Sequence, residues 1–185
     1  MSPRSAAVEV LADLIGWSGL PKWQPDWQIT ERLLGLSLPD DYKVLLSTVP
    51  AGTYAGSVLL NAPTRKGRVG DLLAVFPEVM AALKEDLKRP YAVYPELPGL
   101  IPWASFEHSM GGELFWLADR RDPNDWPVVV WGTDGSWEQY DVGAVALLIA
   151  LVRGKLPSKL LAAAPGAQAF RTSQDRPGAP NNTGR

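Results

Sequence analysis

Two runs, Leu114–Phe115–Trp116–Leu117 and Val128–Val129–Val130–Trp131, contain no polar residue. A strand with one wet face alternates apolar and polar residues. A run that is apolar at every position must be covered on both sides. Gly111–Gly112 before the first run and Gly132–Gly135 after the second are turn signals. Trp137–Tyr140 reads as a further short strand. Asp141 is then placed to cap a helix from Val142 to Arg153, with Gly154 as its stop. That helix is apolar on nearly every face, so it must pack deeply against the sheet. The segment from Glu113 to Leu151 thus sets the core.

The rest of the chain is arranged around this segment. Ser5 can cap a short helix carrying Val8, Leu11 and Ile15, ended by Gly16. Trp17–Asp26 holds two prolines and a glycine and reads as an extended connector. Asp26 is placed to cap a helix over Trp27–Leu34, stopped at Gly35. Leu38–Pro39–Asp40–Asp41–Tyr42 is the clearest helix start, with proline at the first helical position and two carboxylates in the first turn. Tyr42, Leu45, Leu46 and Val49 form its apolar stripe. Ser57–Leu60 reads as a strand and Pro63–Gly70 as a basic loop. Pro77 starts another helix, ending by Pro90, and Leu100–Phe106 is a strand candidate. From Ala162 onward the sequence is rich in Ala, Gly, Pro and polar residues, with Phe170 its one large apolar residue, and reads as a disordered tail. The layout is α+β: N-terminal helices, a mainly antiparallel central sheet and a buried C-terminal helix. The expected division is an N-terminal helix and connector over 1–26, one domain over 27–156 and a mostly disordered tail over 157–185.

Composition excludes several functions. Among the 185 residues there is no cysteine, so disulfides, a thiol nucleophile and thiolate metal sites are out. The net charge is −2, with Lys and Arg scattered among carboxylates. A nucleic-acid binder shows a basic face instead, so no direct nucleic-acid contact is expected. Met1–Val10 lacks the layout of a signal peptide. Val142–Val152 is too short to span a bilayer, which takes about 20 residues. These readings place the chain in the cytoplasm, off the membrane.

No catalytic constellation stands out. His108 is the single histidine, set in a loop without a second histidine or a cysteine to support it. We read it as an exposed loop residue. Asp119–Arg120–Arg121–Asp122–Pro123–Asn124–Asp125 is rich in oxygen donors but lacks the spacing of a calcium loop, so it reads as a solvated turn with local ion pairs. Ser136 is not in a nucleophile elbow, and Gly67 and Gly70 lack the lysine and serine of a phosphate loop. Lys84, Lys88 and Arg89 complement a helix C-terminus. No cofactor or metal is implied. The eight tryptophans are the unusual feature. Trp116 and Trp131 fall within central strands and default to core, and Trp17, Trp23 and Trp27 to pinning the connector. Trp103, Trp126 and Trp137 lie near strand ends, where core packing and partner contact are both open.

Four blocks in order carry a family resemblance: Leu34–Gly35 with Leu38–Pro39–Asp40–Asp41–Tyr42–Lys43; Ile101–Pro102–Trp103; Gly111–Gly112–Glu113–Leu114–Phe115–Trp116 with Asp125–Trp126–Pro127–Val128–Val129–Val130; and Trp137–Glu138 through Leu151. Together they resemble the SUKH superfamily (Smi/Knr-like domains) over roughly Trp27–Leu156, as an ordered motif set. The turn Glu107–His108–Ser109–Met110 departs from that pattern. The resemblance implies an α+β protein-binding domain without catalysis. Many bacterial members are immunity proteins that neutralise toxins, often nucleases, and fungal relatives regulate cell-wall synthesis. It implies here a protein partner such as a toxin domain. We assign the contacts to loop charges and aromatic anchors: Trp103, Glu107, Trp126, Asp134 and Trp137. The alternatives are a regulatory or scaffold protein without a toxin, and a small hydrolase using His108 and a carboxylate.

Overall fold

In the computed structural model, residues 3–63, 70–86, 88–107, 111–162, 166 and 168–173 are described. Helix α1 (Pro3–Leu14) buries Val8 and Leu11 in the same core as the later helices. Ser5 lies within α1 instead of capping it. Helix α2 (Trp27–Leu34) begins where its cap dictates. The Asp26 carboxylate accepts from the Ile29 N–H at 3.0 Å, and Gly35 closes the helix at φ 72°. Helix α3 (Asp40–Thr48) follows Pro39 and buries Tyr42, Leu45 and Leu46.

Strands β1 (Gly52–Tyr54) and β2 (Val58–Leu60) form a hairpin. Helix α4 (Leu72–Glu85) starts earlier than expected, because Asp71 caps it by accepting from the Leu73 N–H at 3.2 Å. Pro77 thus stands inside α4, not at its start. At the other end, the Arg89 guanidinium donates to the carbonyls of Leu83 at 3.1 Å and Asp86 at 2.7 Å, the cation at a helix C-terminus that the charge pattern suggested. The remaining strands are β3 (Ala92–Val93), β4 (Gly99–Phe106), β5 (Gly112–Ala118), β6 (Val128–Gly132), β7 (Trp137–Tyr140) and β8 (Phe170–Thr172), with helix α5 (Ala144–Val152) between the last two.

The sheet runs β7-β6-β5-β4-β2-β1-β8, and every pairing along that path is antiparallel. β3 adds a short parallel pairing to the start of β4. The class is α+β. Both faces of the centre are covered, as the two apolar runs require. Leu114, Trp116, Val128 and Val130 join the cluster with α1, α3 and α5. Phe115 and Val129 turn the other way, onto Met80 and Leu83 of α4. None of the helices among the described residues is long and apolar enough to cross a membrane.

Two expectations fail for long-range reasons. The N-cap residue of α5 is Gly143, and Asp141 does not cap it. Instead Asp41 of α3 reaches across and accepts from the Val145 N–H at 3.2 Å. Gly143 leaves room for that carboxylate, since a Cβ there would lie 2.9 Å from Asp41 Oδ2. The tail, for its part, carries the ordered strand β8. Phe170, the one large apolar residue after Ala162, packs against Tyr54 with ring centroids 4.9 Å apart. Leu161, also within the expected tail, is 2% exposed.

Candidate functional site

The five candidate contacts do not form one site. Trp103 is fully buried and cannot meet a partner. The register of β4 against β5 shifts between Pro102 and Ala104, which makes Trp103 the extra residue of a β-bulge. The bulge lets Trp103 and Ala104 both enter the core, where Trp103 stacks on Trp116 at 5.7 Å. Trp126 is also inside, 6% exposed. It lines a shallow hollow of about 420 Å³ with Arg121, Asn124 and Asp141.

That hollow lies at one end of the sheet, next to the Asp119–Asp125 turn. Arg121 pairs with Asp119 at 2.7 Å. Asn124 accepts from the Asp40 N–H at 2.7 Å, which ties the turn to α3. The turn carries a local ion pair, as its sequence suggested, and the Asn124 contact makes it a link to α3 as well. No group of three or more His, Cys, Asp or Glu among the described residues is placed to hold a metal ion.

Glu107, Asp134 and Trp137 sit at the opposite end. Glu107 follows β4, Asp134 lies in the β6–β7 turn and Trp137 opens β7. The backbone draws these loops together: the Thr133 N–H donates to the Gly111 carbonyl at 3.1 Å. Within the turn, Asp134 Oδ1 accepts from the Ser136 N–H at 2.9 Å. Glu107 and Asp134 are exposed and Trp137 is half-buried. His108 lies outside the described residues, as does most of the basic loop, at 64–69.

Trp137 belongs to a row that crosses the sheet. Ser105, Glu113, Trp131 and Trp137 are in register on β4, β5, β6 and β7, and residues opposite one another share a face. This is the face α4 covers, but α4 packs mainly over β3 and β4. Toward β7 the row is lined by aromatic rings that remain half-buried. Trp137 lies 6.0 Å from Trp131 and 5.5 Å from Tyr91, both half-buried, and 6.5 Å from the fully buried Phe115. The Tyr91 hydroxyl donates to Gln139 Oε1 at 3.2 Å, fixing that ring at the edge strand.

Glu113 is the chemically unusual member of the row. Its Oε2 is sealed from solvent and has no hydrogen-bond partner. Burial pushes its carboxyl up to about 8. The neighbouring Trp131 Nε1 is likewise sealed and unpartnered. Sequence reasoning missed Glu113 as a site residue. The available signal was a single carboxylate two residues before Phe115, on the buried side of a strand that is otherwise apolar. A partly buried aromatic wall with an unsatisfied carboxyl can seat a cationic or hydrogen-bond-donating group from a partner.

Compared with family models, curated proteins and solved structures, the chain matches none.

Proposed function

We propose that the chain is a non-catalytic protein-binding domain of the cytoplasm, of immunity type, which neutralises a cognate intracellular toxin by direct binding. The observation that carries this reading is the row from Glu113 to Trp137. Half-buried tryptophans are the side chains that most often anchor interfaces. Here they lie beside the sealed, unpartnered Oε2 of Glu113 and are bordered by the exposed carboxylates Glu107 and Asp134. A partner with a basic cleft, such as a nuclease, complements that arrangement. Blockade would be steric, through Trp137 and Tyr91, and electrostatic, through the carboxylates. The ordered SUKH-like motifs support the same reading.

The test is co-expression with a candidate toxin, scored by survival. Wild type should protect. Trp137→Ala should lose protection by weakening a direct complex, with a loss of about 2 kcal/mol or more if Trp137 is a hot spot. A chain that neither protects nor binds the toxin counts against the proposal. A stable complex with a host protein in its place would favour a regulatory or scaffold role.

A further inference from the structure

Glu113, Trp131 and Trp137 stand in register across β5, β6 and β7, and each is half-buried, so part of every side chain still meets solvent. Trp131 and Trp137 lie 6.0 Å apart with ring planes at 39°. Tyr91 joins them, 5.5 Å from Trp137 at 55°. Its hydroxyl donates to Gln139 Oε1 at 3.2 Å, and the Gln139 amide donates in turn to Asp141 Oδ1 at 3.2 Å. That chain of hydrogen bonds fixes the Tyr91 ring. The result is a wall of tilted ring faces with a carboxyl beside it.

Glu113 lacks the cation that a buried carboxylate calls for. Its Oε2 accepts no hydrogen bond, and none of the ion pairs among the described residues includes it. Burial acts on its carboxyl with no neighbouring charge to offset it. A polar atom shut from water without a partner costs the free chain its lost hydration. A group that supplies matched donors recovers that cost on binding. A terminal carboxyl also turns broadly about its last torsion, so Oε2 can swing to the open side of a half-buried residue without moving the strand. The group that fits such a place is cationic, flat and only weakly hydrated. A guanidinium is all of these: it stacks on tryptophan and tyrosine faces and offers a fork of N–H donors to a carboxylate. An ammonium is a strongly hydrated point charge and shares only the sign.

We propose that Glu113, Trp131, Trp137 and Tyr91 form a receptor for one arginine side chain of the protein partner, its guanidinium paired with the Glu113 carboxylate and stacked on the Trp137 ring. This rests on the reading of the row as the binding surface and narrows the partner's anchor to a single residue type. The exposed carboxylates of Glu107 and Asp134 draw a cation toward the wall, and the carboxyl and rings then select arginine over lysine.

The test uses the full chain, isotope-labelled for NMR, and capped tripeptides with arginine, lysine or citrulline between two glycines. Each of the eight tryptophans gives one indole N–H signal, assigned by single substitutions to phenylalanine. The arginine peptide should shift the Trp131 and Trp137 signals saturably. The lysine peptide should bind at least about tenfold more weakly, since it lacks the paired donors. Citrulline has nearly the same shape without the charge and should leave both signals in place. Glu113→Gln should abolish the shifts while the other indole signals keep their positions, which shows the fold intact; Glu113→Ser gives the same reading should the glutamine pack badly. No saturable shift with the arginine peptide, equal binding of lysine or citrulline, or shifts unaltered by Glu113→Gln overturns the proposal. So do shifts at Trp126, beside Asp125 and Asp141, in place of Trp131 and Trp137. Co-expression separates this inference from the function beneath it. A Glu113→Gln chain that protects as well as wild type overturns the arginine receptor and leaves toxin binding standing. A wild type that takes the arginine peptide as expected but neither protects nor binds a toxin upholds the receptor and removes the immunity reading.

Discussion

Replacing Glu113 by Gln should flatten the dependence of stability on pH. Burial holds this carboxyl at about 8 in the folded chain, against an ordinary value of 4.5. Between those two values the unfolded chain has released the proton and the folded chain has kept it. The folded state then binds more protons, so stability falls as pH rises. The full contribution is present below 4.5 and is lost progressively toward 8. Each pH unit in that window costs about 1.4 kcal/mol. From pH 5 to pH 7.5 the wild type should therefore lose about 3 kcal/mol through this group, a large part of the roughly 5–15 kcal/mol that holds a domain folded. Glutamine has nearly the same shape and never ionises. The variant should match wild type near pH 5 and exceed it by about 2–3 kcal/mol at pH 7.5. Urea denaturation followed by tryptophan fluorescence at four pH values measures the difference. A gap that stays constant across the range would mean that Glu113 ionises normally when folded, and the reading of it as an unsatisfied buried group would fail. A cation placed on Glu113 by a partner would restore its charge, so complex formation near pH 7 should release a proton in the wild type and none in the variant.

Three further outcomes follow from the packing. Asp41→Ala should cost about 1 kcal/mol in thermal denaturation, the usual loss of a helix cap, whereas Asp141→Ala should cost nothing measurable; the reverse order would restore the local cap. Trp103→Ala should lower stability by about 3–5 kcal/mol, and loss of partner binding in a chain of unchanged stability would contradict its place in the core. Glu138 behaves oppositely to Glu113. Burial pushes its carboxyl up, but hydrogen bonds from the Ser158 and Tyr140 hydroxyls and the Lys159 N–H bring it below the ordinary range. Its stabilisation is present above 4.5 and lost as pH falls through the folded value. Glu138→Gln should therefore be less stable than wild type at pH 7 and equal to it near pH 3 in urea melts.

Much of the fold was legible because its signals are local. The cap Asp26, the start at Pro39 and the turns around Gly111 and Gly135 act within a few residues of themselves, and the elements they delimit appear where expected. Pro77 misled because a proline's preference for the first helical turn is weaker evidence than a side-chain cap at Asp71. The site was less legible. Trp103 and Trp137 are both tryptophans near strand ends, and no sequence pattern separates one turned inward by a bulge from one left half-buried at an edge strand. Glu113 was visible as a charge in an apolar strand, but its lack of a partner depends on every neighbour.

By itself, the sequence determined the layered α+β class and the doubly covered strands at 114–117 and 128–131, since continuous apolar runs admit no wet face. It also determined that cysteine chemistry is absent. Only the tertiary structure decided that Asp41 and not Asp141 caps the last helix, that Trp103 belongs to the core, that Glu113 aligns with Trp131 and Trp137, and that the tail returns to close the sheet with Phe170 against Tyr54. Each of these depends on bringing together residues far apart in the chain, and burial, register and charge pairing exist only once the chain has folded.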